Sequence, residues 1–388
     1  MRQAGVMVDV QADPLELLRK RTSEKWVSYP ADVLPLFVAE MDYPLAPVIA
    51  EALIDRVRAS DTGYVAGPLP AGVAFAGFAE RRWGWKVDPE RVRTTTDVSV
   101  GIVESLRRAI HPGDGIVINP PVYPPFFDLV REAGGTLVEV PLLDDGREYG
   151  LDLDGIERAF VGGARAILIC NPQNPVGHVH PRSQLAALAE LAAKYDVTVV
   201  SDEIHSLLTH STATFTPFLS VSDAAREHGV TVTSASKAFN LAGVKCALMV
   251  AASDRSLALL DGMSVEVGWR TSILGLHASV AALSHGDDWL DGTIAAIEAS
   301  NALLAELLTQ HLPEVGYRSP RASYLGWLDF SALGWGDDPS IRALEAKVAL
   351  NAGPSFGTQG SGFARLNFAC APDVLTEAVT RLAQAARY

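Results

Sequence analysis

Three polar side chains, Asn174, Asp202 and Lys237, each follow a short run of aliphatic and β-branched residues. Such runs are typical of buried strands, and the carboxyl ends of parallel strands meet at one edge of an open α/β sheet. Ligands bind at that edge, so we expect the three side chains to converge there. The sequence therefore predicts one ligand site that contains an amide, a carboxylate and a primary amine.

These three groups suit pyridoxal 5′-phosphate (PLP). The Lys237 amine would form a Schiff base with the PLP aldehyde, while the Asp202 carboxylate would keep the pyridine nitrogen protonated. The Asn174 amide would hydrogen-bond the phenolic oxygen of the ring. Taken singly, each residue has a simpler explanation, since a lysine after a strand is usually solvated and an acidic residue in a loop often caps a helix. The prediction depends on their occurrence together.

Strand and helix patterns alternate around these residues. The runs Arg165–Cys170, Val197–Ser201 and Gly229–Ser234 are short and apolar, whereas Arg182–Tyr195 repeats apolar residues at spacings of three and four. This alternation predicts a mostly parallel sheet with crossover helices. We therefore expect an α/β protein whose large domain is built on a central sheet.

Changes of pattern divide the 388 residues into three parts. Residues 1–47 contain several prolines and little periodicity, which predicts an N-terminal arm that also contributes to a small domain. Residues 48–284 carry the alternating pattern and predict the large, cofactor-binding domain. Residues 285–388 contain long helical stretches and a strand, which predict a smaller α+β C-terminal domain. A cleft between the two domains would hold the ligand.

Composition argues against several other classes of protein. The net charge of −14, without basic runs, gives no attraction to nucleic acid or to anionic lipid. The longest apolar stretches fall well short of the roughly 18–20 residues of a membrane-spanning helix. The first thirty residues lack a secretory pattern, and the three cysteines form no Cys-x-x-Cys pair. We therefore expect a cytoplasmic protein with neither nucleic acid nor membrane as a partner.

Two groups of residues resemble metal ligands but do not make a convincing metal site. One group is Asp202, Glu203 and His205, and the other is His178 and His180. Neither group supplies the three or four convergent donors that a zinc site requires. We therefore predict no metal in this protein.

Short motifs occur in a fixed order along nearly the whole chain. They are Arg21–Trp26, Ala39–Tyr43, Thr62–Tyr64, Pro121–Phe126, Asn171–Gly177, Ser201–His205, Ser234–Gly243, Trp289–Asp291 and Arg365–Cys370. In sequence and spacing they resemble the class I/II aminotransferase superfamily, whose members are PLP-dependent enzymes of fold type I. The resemblance is closer to the cystathionine β-lyase-like branch of C–S lyases, the MalY/PatB type.

This resemblance implies a role for each residue around the PLP ring. Lys237 would carry the cofactor, Asp202 would pair with the pyridinium nitrogen, and Asn174 would bind the phenolic oxygen. Tyr123 would stack on the ring, and Lys237, Tyr123 and Asp202 would carry the catalytic chemistry. Arg365 would bind the α-carboxylate of the substrate, because a guanidinium matches a carboxylate in a bidentate pair. Asn174 would also contact the substrate.

The phosphate of PLP would be bound by side chains and by backbone N–H groups at a helix start. By resemblance the contacts come from Ser234, Ser236 and Lys245, and from the backbone of Asp97 and Val98. Asp97 departs from the family pattern, in which a glycine-containing turn is usual. Since its carboxylate would repel a phosphate, we expect it to point away or to cap the following helix.

Two further residues are assigned by the same resemblance. Tyr64 would reach the cofactor and substrate from a second subunit, which implies a homodimer. His205 stands where many aminotransferases have tyrosine and where the lyase branch has histidine, and would contact the cofactor. A packed, hydrogen-bonded histidine is the alternative explanation for His205.

The implied reaction is an α,β-elimination that converts an S-substituted cysteine to a thiol, pyruvate and ammonia. An aminotransferase is the leading alternative, because both reactions begin with removal of the α-proton. A regulatory or biosynthetic specialist of the same fold is a third possibility. The pocket that recognises the substrate side chain is not defined by spacing. The aromatic residues Tyr43, Tyr123, Tyr324 and Trp269 either line it or fill cores.

Overall fold

The computed structural model describes residues 8–387, and a seven-stranded sheet forms the centre of this part of the chain. In spatial order its strands are Val92–Thr95, Ala247–Val250, Gly229–Thr233, Thr198–Asp202, Ala164–Cys170, Gly115–Ile118 and Thr136–Glu139. Ala247–Val250 runs antiparallel to the other six strands of this sheet, which all run in the same direction. The mostly parallel α/β sheet predicted from the sequence is therefore confirmed.

The register of the central strands brings their carboxyl ends to one edge. Cys170 lies opposite Asp202, and Asp202 lies opposite Val232. The loop that carries Asn174 and the turn that carries Lys237 both leave the sheet at this edge. The inner positions of these strands are mostly aliphatic and are buried, which ties the strand ends to a rigid core.

Helices cover the two faces of the central sheet and flank a second sheet. The longer helices are Pro47–Arg58, Leu69–Trp83, Val98–Ala109, Pro125–Glu132, Leu153–Val161, Arg182–Tyr195, Asp223–His228, Asp254–Asp261, Val265–Trp269, Ile273–His285, Asp287–His311, Ser340–Glu345 and Pro372–Ala385. Helix Arg182–Tyr195 buries Leu185, Leu188, Ala189 and Ala192, the stripe that its spacing predicted. None of the helices described here combines the length and apolar content that a membrane crossing requires.

A four-stranded antiparallel sheet follows the central one along the chain. Its strands, in spatial order, are Gly316–Tyr317, Leu325–Asp329, Phe363–Asn367 and Asn351–Ala352. The edge strand Asn351–Ala352 pairs directly with the strand that contains Arg365, at Asn351. This second sheet therefore positions the arginine that the sequence assigned to substrate binding.

The N-terminal arm consists of two one-turn helices, Leu15–Leu18 and Glu24–Val27, and a two-residue strand. That strand, Leu34–Pro35, pairs in parallel with Val348–Ala349. Residues 8–47 thus contact the later part of the chain, as expected for an arm that contributes to a small domain. The domain boundaries at residues 47 and 284 remain predictions.

Candidate active site

A cavity of about 560 Å³ opens at the carboxyl edge of the central sheet. It contains every predicted site residue except Tyr64. These are Asp97, Val98, Tyr123, Asn174, Asp202, His205, Ser234, Ser236, Lys237, Lys245 and Arg365. The central sheet, the second sheet and the N-terminal segment all contribute to its walls, so residues far apart in the sequence meet in one place.

Lys237 lies in the turn that follows strand Gly229–Thr233. Its Nζ donates a hydrogen bond to the carbonyl oxygen of Ala39 at 3.1 Å. Burial, with a smaller effect of the positive charge of Arg365, lowers the pKa of Lys237 to about 8. A lysine with such a pKa has far more neutral amine near pH 7 than a solvated lysine, and only the neutral amine is a nucleophile.

Asp202 is the last residue of its strand, and its side chain is buried. Its Oδ1 accepts the backbone N–H of Ile204 at 3.1 Å. Burial raises the pKa of this carboxyl to about 7, although the Ile204 hydrogen bond and Lys237 both oppose the shift. A cation in the cavity, such as a protonated pyridine nitrogen, would stabilise the carboxylate form.

Arg365 is buried, and no carboxylate in the described chain lies within ion-pair distance of it. Its Nη1 donates to Asn174 Oδ1 at 3.1 Å, and its Nη2 donates to the carbonyl oxygen of Phe37 at 3.1 Å. The Nε–H is buried without a partner, and the guanidinium lies 5.1 Å from the ring centroid of Phe356. Burial lowers its pKa to about 10, so it stays cationic at neutral pH. A buried, unpaired cation of this kind is suited to binding an anion.

Tyr123 and His205 are the two predicted ring-contacting residues that line the cavity. Burial raises the pKa of the Tyr123 hydroxyl, so it is protonated at neutral pH. Burial, followed by the charges of Lys237 and Arg365, lowers the pKa of His205 to about 3 and keeps the imidazole neutral. His205 Nδ1 is buried without a hydrogen-bond partner. The packing of His205 is therefore established, and its contact with a cofactor remains a prediction.

The predicted phosphate site lies at the start of helix Val98–Ala109. Asp97 caps this helix, because its Oδ1 accepts the N–H of Val100 at 3.0 Å, as expected from the charge argument. The other oxygen, Oδ2, lies 3.1 Å from Lys245 Nζ. Ser234 donates its hydroxyl to the carbonyl oxygen of Cys246 at 2.7 Å and accepts the N–H of Ser236. An incoming phosphate would therefore share Lys245 with Asp97.

Tyr64 does not line the cavity of its own chain. It lies between helices Pro47–Arg58 and Leu69–Trp83 and is 93% exposed. Tyr43 and Tyr324 are core residues, and the Tyr324 hydroxyl donates to the carbonyl oxygen of Ala39 at 2.9 Å. Trp269 is 63% exposed and lies in a different groove. Tyr43 and Tyr324 therefore fill the core, whereas Trp269 neither lines this cavity nor fills a core.

Sequence reasoning missed the wall formed by the N-terminal segment. Phe37, Val38 and Ala39 line the cavity, and so does Glu24 from the short helix Glu24–Val27. The motifs Arg21–Trp26 and Ala39–Tyr43 had supported the family resemblance without receiving a role. Asn351 and Ser355, which come from the second sheet and the turn after it, were also missed. No local pattern marks these two positions.

The cavity residues fit PLP on chemical grounds. An enclosed amine with a lowered pKa can bind an aldehyde, and a buried carboxyl with a raised pKa can gain a cationic partner. The N-terminus of helix Val98–Ala109, with Lys245 beside it, offers donors to a phosphate. No cluster of three or more potential metal ligands occurs in residues 8–387.

The mostly parallel seven-stranded sheet has a cavity at its carboxyl edge that contains Lys237 and Asp202. This arrangement defines the protein as a member of the PLP-dependent enzymes of fold type I. Residues 31–382 match the family described as aminotransferase class I and II, and the chain belongs to this family. Cystalysin from Treponema denticola, a structure described as containing PLP, has the same fold with a TM-score of 0.90 at 26% identity. The alignment covers 95% of this chain and 97% of cystalysin. The superfamily resemblance found in the motifs is confirmed.

Within that family, several relatives that match nearly the whole chain are named cystathionine β-lyases. A protein of Mycobacterium leprae, provisionally named a cystathionine β-lyase, is 42% identical over 96% of both chains. The cystathionine β-lyase of Corynebacterium glutamicum is 36% identical over 95% of this chain and 98% of its own. An N-succinyldiaminopimelate aminotransferase of Mycobacterium tuberculosis, provisionally assigned, is 30% identical over 87% and 88%. The predicted similarity to the lyase branch is therefore confirmed.

Proposed function

We propose that this protein is a PLP-dependent C–S β-lyase, which converts an S-substituted cysteine to a thiol, pyruvate and ammonia. One observation supports this above all. An enclosed amine, a buried carboxyl and an unpaired guanidinium share one cavity in a chain 36% identical to a cystathionine β-lyase. When bound, PLP supplies an electron sink for the negative charge that develops at the substrate α-carbon.

Lys237 is proposed to hold the cofactor and then to move the α-proton. Its Nζ lies inside the cavity, where burial lowers its pKa to about 8, and when it does not hold the cofactor it would be available as a base. A base with a pKa near the working pH is efficient at proton transfer. Asp202, on the same sheet edge, is proposed to keep the pyridine nitrogen protonated, which makes the ring a better electron sink.

Arg365 and Asn174 are proposed to orient the substrate. The guanidinium would bind the α-carboxylate, and the Nε–H that is buried without a partner would gain one. Asn174 already accepts a hydrogen bond from Arg365, so the two side chains form one rigid binding surface. This orientation would place the Cα–H bond towards Lys237 Nζ. Lys237 would take the α-proton, the electron pair of the Cα–H bond would form a Cα–Cβ double bond, and the Cβ–S bond would break with its electron pair leaving on sulfur as a thiolate.

An aminotransferase reaction is the second candidate, because the same cavity residues support proton transfer at the α-carbon. The 30% identity to an aminotransferase favours this candidate. The two are separated by incubating the PLP-loaded protein with cystathionine and with S-propyl-L-cysteine, with and without a keto acid. We expect thiol and pyruvate in equal amounts without a keto acid. Turnover that requires a keto acid and releases no thiol would instead identify an aminotransferase.

Lys237→Ala is the control for both reactions. We expect this variant to stay folded, since the replaced amine makes a single hydrogen bond, to the Ala39 carbonyl oxygen. It should lose turnover and should no longer be labelled when the PLP-loaded protein is reduced with borohydride. Thiol release that persists in Lys237→Ala would contradict the assignment of this lysine.

We further propose a homodimer in which Tyr64 reaches the neighbouring cavity. Tyr64 is 93% exposed, and its neighbour Val65 lines a groove with two further exposed side chains, Val265 at 67% and Trp269 at 63%. Exposed apolar surface of this kind is typical of an interface. Light scattering tests the dimer itself.

Mixing two inactive variants tests the contribution of Tyr64. If Tyr64→Ala and Lys237→Ala subunits exchange, half of the dimers are mixed, and each mixed dimer has one site with both original residues. Activity should then return to about a quarter of the original level. If no activity returns although mixed dimers form, Tyr64 does not act across the interface.

We propose a small amino acid as the substrate and the cytoplasm as the location. Arg365 supports the first proposal, because it offers a buried cation to an α-carboxylate. The three cysteines support the second, since all are buried and unpaired, as is usual in a reducing compartment. Fractionation of the source cells tests the location.

A further inference from the structure

The carboxylates that line the cavity differ in whether they have a cationic partner. Of the three carboxylates, Asp97 pairs with Lys245, and Asp202 is buried deep at the sheet edge. Glu24 is the third, and it is exposed at the cavity wall with no ion-pair partner in the described chain. The proposed function leaves this carboxylate without a role.

Glu24 is held in place by the residues on either side of it. Ser23 Oγ donates to Glu40 Oε2 at 2.7 Å. Lys25 is fully buried, and its Nζ donates to Asp42 Oδ1 at 2.6 Å and to the carbonyl oxygen of Glu40 at 3.2 Å. The short helix that begins at Glu24 is therefore fixed against the cavity wall, although the Glu24 carboxylate itself reaches solvent.

Glu24 lies on the wall of the cavity that the substituent on the substrate sulfur would enter. If Arg365 binds the α-carboxylate and Lys237 approaches the α-carbon, the substituent must occupy the rest of the cavity. The cavity walls include Phe37 and Val38, which are apolar, and Glu24, which ends in an exposed carboxylate. The charge of Glu24 also acts on the Tyr123 hydroxyl and on the Lys237 amine, which agrees with its place in the cavity.

We propose that Glu24 is a specificity-determining residue that favours S-substituted cysteines whose substituent ends in a cationic group. This inference rests on the proposed C–S lyase function and specifies its substrate class. An ammonium two carbons beyond the sulfur would be attracted to Glu24, whereas a carboxylate there would be repelled. Because the carboxylate is solvent-exposed, each effect amounts to at most about fivefold in kcat/KM.

The test compares three substrates of equal length. They are S-(2-aminoethyl)-L-cysteine, S-propyl-L-cysteine and S-(carboxymethyl)-L-cysteine, whose substituents end in an ammonium, a methyl group and a carboxylate. Pyruvate release gives kcat/KM for each with the PLP-loaded protein. We expect the order ammonium, methyl, carboxylate. The preference should weaken at high salt, because salt screens exposed charges.

Glu24→Gln should bring the three kcat/KM values together, and Glu24→Lys should reverse their order. Glu16→Gln is the matched control, because Glu16 is an exposed carboxylate of the same arm that does not line the cavity. That variant should keep the original order. The inference is overturned if Glu24→Gln leaves the three ratios unchanged, or lowers all three values equally. Absence of thiol and pyruvate from the neutral substrate with the unaltered protein would instead overturn the proposed lyase function.

Discussion

Replacing Lys25 with methionine is predicted to destabilise the protein strongly, because it breaks a fully buried ion pair. The side chains of Lys25 and Asp42 are 0% and 1% exposed, and Lys25 Nζ lies 2.6 Å from Asp42 Oδ1. The other oxygen, Asp42 Oδ2, already lacks a hydrogen-bond partner. Lys25→Met would leave both carboxylate oxygens buried and unsatisfied.

The size of the effect follows from this geometry. Removing one partner of a buried ion pair costs about 3–5 kcal/mol, whereas replacing both partners with apolar residues is often neutral. Unfolding entropy is about 2.1 cal/mol/K per residue, or roughly 0.8 kcal/mol/K for this chain. The variant Lys25→Met should therefore unfold about 4–6 °C lower. The double variant Lys25→Met with Asp42→Leu should recover most of that loss.

The penalty should also depend on pH. Burial raises the pKa of Asp42, and Lys25 opposes this effect, so Lys25→Met should raise the pKa further. When folding raises the pKa of a carboxyl, the folded state loses stability as the pH rises and that carboxyl becomes ionised. The loss of stability in Lys25→Met should therefore be small near pH 4 and should grow as the pH rises towards neutrality.

Thermal unfolding followed by circular dichroism measures this effect between pH 4 and pH 8. The control is Lys194→Met, which breaks an exposed pair with Glu157 of similar length, 2.7 Å between Nζ and Oε1. That control should cost at most about 1 kcal/mol. Equal penalties for the two lysine variants, or a Lys25→Met penalty that does not change with pH, would refute the reasoning.

Three further variants have defined outcomes. Asp202→Asn should lower kcat/KM about 100-fold or more, with an unchanged circular dichroism spectrum, because the buried carboxylate faces the cavity. Arg365→Lys should lower kcat/KM about tenfold to hundredfold, mainly through KM, because an ammonium cannot replace a bidentate guanidinium. Gly177→Ala should lower the unfolding temperature more than Gly84→Ala: both glycines have positive φ, but a Cβ at Gly177 would lie 2.2 Å from Pro320 Cβ, whereas Gly84 faces open space.

Local patterns in the sequence were sufficient for several of the helices and strands around the site. Helix Arg182–Tyr195 has its predicted bounds. The predicted strand Val197–Ser201 is shifted by one residue at both ends, and the predicted strand Gly229–Ser234 is one residue too long at its carboxyl end. The spacing of apolar side chains shows which face of a helix or strand is buried, and this spacing can be read from a few consecutive residues. Strand ends depend on hydrogen bonds to neighbouring strands, which a single segment does not contain.

The convergence of Asn174, Asp202 and Lys237 was predictable because parallel strands place their carboxyl ends at one edge of a sheet. The site role of Arg365 came from the family resemblance, and its contact with Asn174 bridges 191 positions of sequence. The resemblance also drew attention to the motif that contains Ala39. It did not predict that the Ala39 carbonyl oxygen accepts a hydrogen bond from Lys237, which lies 198 positions away in the sequence.

The sequence by itself thus determined the α/β pattern, the edge of the sheet where ligands bind, and the chemical groups available there. Only the tertiary structure decided that the N-terminal arm forms a cavity wall, that Glu24 faces the cavity, and that Arg365 has no ion-pair partner among residues 8–387. It also decided the low pKa of His205, which comes from burial. Burial and unpaired charge arise from packing between distant segments, and no local pattern encodes them.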